Sequence, residues 1–494
     1  MDDKPHKQSQ ELLGQPKGLY VLYFTEMWER LSFYGMKSIL IYFLTAKVLE
    51  GGWGMEKGTA NIISGLYSFL AYFMCIPSGP LADRYLGPKK TVMWGAALQF
   101  IGHLLLGITA QKIWFVSGIW FLAIGTGLLK TNISTMVGAL YQDRDQRRER
   151  GFSIFYQGIN VGSLIGSLIV PFIKDRFGFH AGFMVAGVGM FLSLLIFVLG
   201  VGYLAPERKR SAQQQSMWMS IPALVVAGLA LLFIVNHYIS SSKIPALLEV
   251  GNRVLIVLLS ISLLLLCLWV FFQAANKKER GHIMVVFLAY LGVMSYVVIY
   301  MQCEGLFMNF AKESVNRIIS IFGKEYEIGA AYFYVLNPIL IILFSYPVTL
   351  FWKKVNDRYT NLAATTKMGV GLLLFAVCAL IVSYAIQLSK VGLISPLWVV
   401  VINLLIVLGE ICIMIPGLSL VSSLAPQHLK STVMGTLWGF ISLGSAVGGE
   451  VGNLAEKAIS SGGNNVFSLL LVIFGALGCF YLALNNLANQ KVNN

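Results

Sequence analysis

Long apolar runs, broken only by short charged or Pro/Gly/Asn-rich stretches, recur from one end of this chain to the other. They lie near residues 19–45, 60–82, 91–110, 113–140, 152–173, 181–204, 217–239, 252–275, 282–310, 329–352, 366–388, 394–424, 431–455 and 465–487. A helix needs about 20 apolar residues to cross a bilayer core roughly 30 Å thick. No water reaches that layer to satisfy backbone N–H and C=O groups, so each run must bond them internally, as a helix does. The expectation is therefore an all-α polytopic membrane protein with about fourteen spanning helices. Composition excludes the soluble alternative, because 12% of the residues are charged where soluble domains carry about 25%. The formal charge of +14 is spread over short clusters without a continuous patch, which argues against a nucleic-acid partner. The six cysteines sit in or beside apolar runs without a CxxC pair, and the six histidines lack metal-ligand spacing, so no metal or disulfide is expected.

An even number of spans puts both ends on one side. With the N-terminus inside, the inner loops collect Arg84, Lys89 and Lys90, then Arg144, Arg147, Arg148 and Arg150, then Arg208, Lys209 and Arg210, then Lys277, Lys278 and Arg280, then Lys353, Lys354 and Arg358. The outer loops hold only scattered bases, so the positive-inside rule places both termini in the cytoplasm. The first 18 residues are polar and lack the features of a secretory signal. Charged breaks at 206–210 and 276–280 divide the runs into six, two and six. The expected organisation is a tail at 1–18, a six-helix bundle at 19–205, a two-helix insertion at 206–280, a second six-helix bundle at 281–488 and a tail at 489–494. Duplicated bundles of this kind belong to transporters, and the central pair reads as peripheral packing helices.

Charges inside the runs need reasons, since one at the centre of a spanning helix costs about 2.5–3.5 kcal/mol on insertion scales. Helix 1 carries four, Glu26, Glu29, Arg30 and Lys37, spaced to lie near one face. Lys130 lies deep in helix 4, Glu410 near the middle of helix 10 and Glu304 in the outer third of helix 7. Bases on the first half and acids on the second would suit a small zwitterion running from Glu410 to Arg30 and Lys130. Carboxylates can also carry a proton, whereas Arg stays charged. Proton-coupled import of a zwitterion follows as an expectation from charge placement. Asp83-Arg84, in the run from Gly79 to Lys90, sits at a cytoplasmic helix end where it could hold the inside closed.

The same residues carry a resemblance. Gly79 to Lys90 looks like the loop signature of the major facilitator superfamily. Glu26-Met-Trp-Glu29-Arg30-Leu-Ser-Phe33-Tyr34-Gly35 resembles the ExxER(F)xYYG motif of the proton-dependent oligopeptide transporters, the POT family, and Phe152 to Ser163 resembles that family's second signature. The resemblance covers the whole chain. It implies the major facilitator fold with two extra central helices, in a bacterial inner-membrane symporter of di- and tripeptides that works by alternating access as a monomer in the lipid bilayer, with the proton as coupling ion and no cofactor. By resemblance Glu26, Glu29, Arg30 and Lys130 are the proton-coupling residues. The peptide would meet Arg30, Tyr34, Lys37, Tyr72, Lys130, Asn160, Glu304, Asn337, Glu410 and Trp438. Asp83, Arg84, Lys37 and Glu304 would gate, with Lys37–Glu304 as the outer pair and Lys130–Glu410 as the central pair. Phe33 departs from the family's first Tyr, Lys37 stands where some members have Arg, and Glu304 falls one turn after the position expected for the helix 7 acid, near Met301. The alternatives are a major facilitator carrier of another zwitterion, anion or drug, and a non-transporting membrane enzyme or receptor on the same fold.

Overall fold

Helices account for nearly all of the computed structural model, which describes residues 10–55, 57–108, 111–142, 145, 147–205, 244–274, 276–304, 306–321, 324–327, 332–358, 363–460 and 465–484. In chain order they are α1 (Lys17–Thr45), α2 (Lys57–Phe73), α3 (Cys75–Leu81), α4 (Pro88–Ile108), α5 (Lys112–Ala139), α6 (Arg147–Phe177) and α7 (Phe179–Gly200). There follow α8 (Ile244–Phe272), α9 (Lys277–Glu304), α10 (Leu306–Ser314), α11 (Tyr332–Arg358), α12 (Ala364–Ser389), α13 (Leu397–Leu424), α14 (Lys430–Ser460) and α15 (Asn465–Ala483). Thirteen of the fourteen expected runs fall on these helices, and the run at 217–239 lies outside the described residues. Among the described residues, nine helices are long and apolar enough to cross a membrane. α1 is not one of them, because Glu26, Glu29, Arg30 and Lys37 interrupt its apolar surface. The run expected at 60–82 is split at Met74 into α2 and α3; Pro80 lies inside α3, where it removes a backbone donor, and the run ends in a π-turn at Ala82–Leu86.

The chain forms two compact units. The first comprises residues 1–142, 165–270 and 426–439, and the second comprises 143–164, 271–425 and 440–494. The division expected from sequence is crossed twice: the first half of α6 belongs with the C-terminal helices, and the first turns of α14 belong with the N-terminal ones.

Within the first unit, close helix approach rests on small residues. Helices in lipid gain little from hydrophobicity on meeting, so backbone-to-backbone packing must supply the attraction. α4 and α5 meet at Gly95, Gly102, Gly118 and Gly125, where an added Cβ would run into the facing backbone. α1 and α6 meet at Gly35 and Gly166, and a Cβ on Gly166 would lie 2.9 Å from the Leu31 Cα. Gly166→Val is therefore expected to destabilise by about 1–3 kcal/mol, as overpacking does. Tryptophan-fluorescence melts in detergent should show a lower midpoint for it, with Gly392→Val as the control, since nothing lies within 4 Å of a Cβ there.

α8 presents Leu259, Leu263, Cys267 and Val270 as one buried stripe and leaves Leu264, Leu265, Leu268 and Phe272 exposed. Leu263 meets Gly439 of α14 within the first unit, so this described member of the central pair packs by one face. Two small antiparallel ribbons occur among the described residues. β1 (Glu11–Leu12) pairs with β2 (Gln15–Pro16), and β3 (Ile318–Ile321) pairs with β4 (Lys324–Glu327) in the connection between α10 and α11.

Candidate functional sites in the two units

Spacings of three and four residues on α1 bring its charges onto one side, and α5 supplies the fourth charge. Glu26, Glu29, Arg30 and Lys130 are each no more than 2% exposed. Arg30 forks onto both carboxylate oxygens of Glu29, and its Nε lies 3.4 Å from Glu26 Oε1. Lys130 donates to that same Glu26 oxygen. Two acids and two bases thus cancel, which is what makes their joint burial tolerable. The cancellation is uneven in detail. Glu29 has both oxygens engaged, whereas Glu26 Oε2 is buried without a hydrogen-bond partner.

Aromatic faces complete this cluster. The Arg30 guanidinium stands 4.6 Å from the Phe33 ring centroid, so the residue that departs from the family motif serves as a cation–π floor. Lys130 Nζ stands 4.7 Å from the Trp438 ring, and Trp438 stacks on Tyr72 at 6.1 Å. Tyr34 meets Phe33 edge-on at 5.2 Å. Tyr72, Lys130 and Trp438, named separately from sequence, are therefore neighbours. Lys37 is half-buried on α1, and the Glu304 side chain lies outside the described residues, so the expected outer pair does too.

The second unit holds a carboxylate in a different setting. Glu410 on α13 is buried, and its partners are neutral donors: the Tyr156 hydroxyl to Oε1, Asn337 Nδ2 to Oε2 at 3.4 Å, and the Tyr296 hydroxyl. Asn160, one turn beyond Tyr156 on α6, gives its Nδ2 to the Tyr156 carbonyl at 2.9 Å. Lys130 gives its Nζ to Glu26 of α1, within its own unit. Tyr156 and Tyr296 were not singled out from sequence. Tyr156 lies inside the second signature, four residues before Asn160, and a hydroxyl in an apolar run was the signal available for both.

Asp83, in the π-turn, accepts from the backbone N–H groups of Ser431 at 3.1 Å and Thr432 at 2.7 Å, and from the Thr432 hydroxyl at 2.8 Å. A carboxylate there satisfies donors left unpaired at the N-terminus of α14 and complements its dipole. Gly79 allows the approach, since a Cβ on it would lie 2.5 Å from the Ser431 carbonyl oxygen. Arg84 stacks over Trp269 of α8 at 5.0 Å.

Residues 89–468 match the model of the POT family. The chain is 33% identical to the peptide transporter YePEPT of Yersinia enterocolitica over 89% of this chain and 88% of the relative. It is 30% identical to a di-/tripeptide transporter of Lactococcus lactis over 92% of both chains. Among solved structures it resembles a POT family transporter in complex with 5-aminolevulinic acid, with a TM-score of 0.77, 26% identity and 99% coverage of both chains.

Proposed function

Since the chain belongs to the POT family and is a multi-pass bacterial peptide transporter of the major facilitator fold, we propose that it imports di- and tripeptides together with protons, as a monomer and without a cofactor. Arg30 and Lys130 read the peptide carboxylate, and Glu410 reads the amine. The observation that carries this reading is the contrast between the two units. In the first, two cations are held by two acids; in the second, Glu410 is met by hydroxyl and amide donors. A proton on Glu26 weakens its hold on Lys130 and leaves the four-residue cluster one positive charge in excess, which favours a carboxylate ligand. An ammonium ligand gives Glu410 the countercharge that its neutral donors lack.

Coupling follows because proton and peptide favour the same redistribution of charge, so each biases one conformational equilibrium in the same direction. Asp83 serves as a reversible cap on α14 in this cycle, with Arg84 anchored beside it. Lys37 and Glu304 act at the outer gate.

The test is uptake of labelled dialanine into proteoliposomes under an inward proton gradient. Accumulation above the outside concentration that collapses when a protonophore is added is the expected result. The absence of dialanine uptake at any pH would turn the reading toward another ligand with an amine and a carboxylate. 5-Aminolevulinic acid, bound by one structural relative, is the first to try, as a competitor and as a labelled substrate.

A further inference from the structure

The first half of α6 carries polar side chains at four-residue intervals, and each meets a partner on the C-terminal helices of its own unit. Glu149 receives Lys367 Nζ on both oxygens, at 2.7 and 2.6 Å. Ser153 accepts from the Thr349 hydroxyl at 3.2 Å, and Gln157 Nε2 donates to the Ser345 hydroxyl at 2.9 Å. Ser153 and Gln157 ascend α6 while Thr349 and Ser345 descend α11, so the two helices run antiparallel along this seam. Arg148 adds a contact to Ser422 of α13 at 3.4 Å. The last rung is Tyr156, whose hydroxyl is bound to Glu410.

We propose that this half of α6 is a polar zipper that closes one end of the second unit, and that Tyr156 ties its release to occupancy of Glu410. The proposal rests on the reading of Glu410 as the site of the peptide amine. Apolar side chains in these positions would pack without a ready exchange partner. Hydroxyl and amide rungs exchange protein for water at small net cost, each worth about fivefold in the ratio of closed to open forms. Such a seam suits repeated opening. Glu149–Lys367 anchors the seam at the N-terminal end of α6, on the side where positive-inside counting places the cytoplasm. When an ammonium takes charge from Glu410, Tyr156 loses its strongest acceptor and the inner rung weakens. The rungs below it then part in order. Tyr156 is thereby a positioning residue, since it acts through Glu410 and through the helix that carries it.

Arg147→Cys and Lys354→Cys, in a chain cleared of its native cysteines, place spin labels at exposed ends of α6 and α11. Their distance distribution by electron paramagnetic resonance, in nanodiscs, reports the zipper directly. Without ligand, one short distance is expected. Glu149→Gln with Gln157→Leu should raise the longer-distance population roughly 10-fold or more, two rungs being lost. Glu149→Lys with Lys367→Glu should restore the short distance, which separates loss of the ion pair from general damage. Dialanine should lengthen the distance in the parent chain and leave it unchanged in Tyr156→Phe. Unchanged ligand-free distances in the double variant would overturn the zipper. A dialanine response of equal size in Tyr156→Phe, or none in the parent, would overturn its tie to Glu410. Failure of dialanine uptake would instead sink the transport reading while leaving the ligand-free distances interpretable.

Discussion

Glu410→Ala is expected to raise the dialanine concentration for half-maximal uptake far more than a change at Tyr34, Tyr72 or Trp438. Removing one partner of a buried charge pair costs about 2–4 kcal/mol, or roughly 30- to 700-fold in apparent affinity. The Tyr156, Tyr296 and Asn337 groups around Glu410 are neutral and cannot replace its charge for an ammonium. Loss of discrimination is the sharper readout. The native chain should reject N-acetyl-dialanine by a factor close to its loss in Glu410→Ala, and the variant should take both ligands equally poorly. If blocking the amine left competition by dialanine unchanged in the native chain, Glu410 would not be the amine site. Glu410→Gln tests charge apart from shape, because it keeps the hydrogen-bonding outline.

What sequence reveals here is mostly what is expensive. Charge in an apolar run costs enough that Glu26, Glu29, Arg30, Lys130 and Glu410 stand out without a structure. The partners of those charges do not stand out. Helical spacing tells which residues share a face of α1, but α5 offers Lys130 to Glu26 through tertiary packing that spacing does not encode. Tyr156 and Tyr296 were missed for a related reason: a tyrosine is cheap in lipid, so its hydroxyl gives little warning that it serves a carboxylate. The unbroken apolar run of α6 likewise conceals that its first half sides with the C-terminal helices. The hydrogen bonds Ser153–Thr349 and Gln157–Ser345 accompany that allegiance, and their residues are individually unremarkable in the sequence. Phe33 shows the converse, since it stands out as a departure from the family's tyrosine and lies beneath Arg30.

Glu26→Gln and Glu29→Gln, each replacing one carboxylate oxygen by an amide nitrogen on the same helix, are expected to fail in different ways. Glu26 has one oxygen shared by Lys130 and Arg30 and another without a hydrogen-bond partner. A neutral amide there imitates the protonated acid permanently, so the peptide still binds and exchanges while the proton no longer participates. An inward gradient of about one pH unit can drive roughly tenfold accumulation when one proton is coupled. Glu26→Gln should bring that to parity and leave dialanine counterflow near the native rate. Glu29 instead holds both arms of the Arg30 fork. Its replacement leaves a buried guanidinium short of a countercharge, at a cost of about 3–5 kcal/mol for a broken buried pair. Glu29→Gln should therefore lower the melting midpoint and depress gradient-driven uptake and counterflow together. Measured side by side, the two variants separate proton carriage from support of Arg30. Counterflow retained in Glu29→Gln and lost in Glu26→Gln would reverse the two roles, and equal behaviour would show that the cluster titrates as a unit rather than through one of its acids.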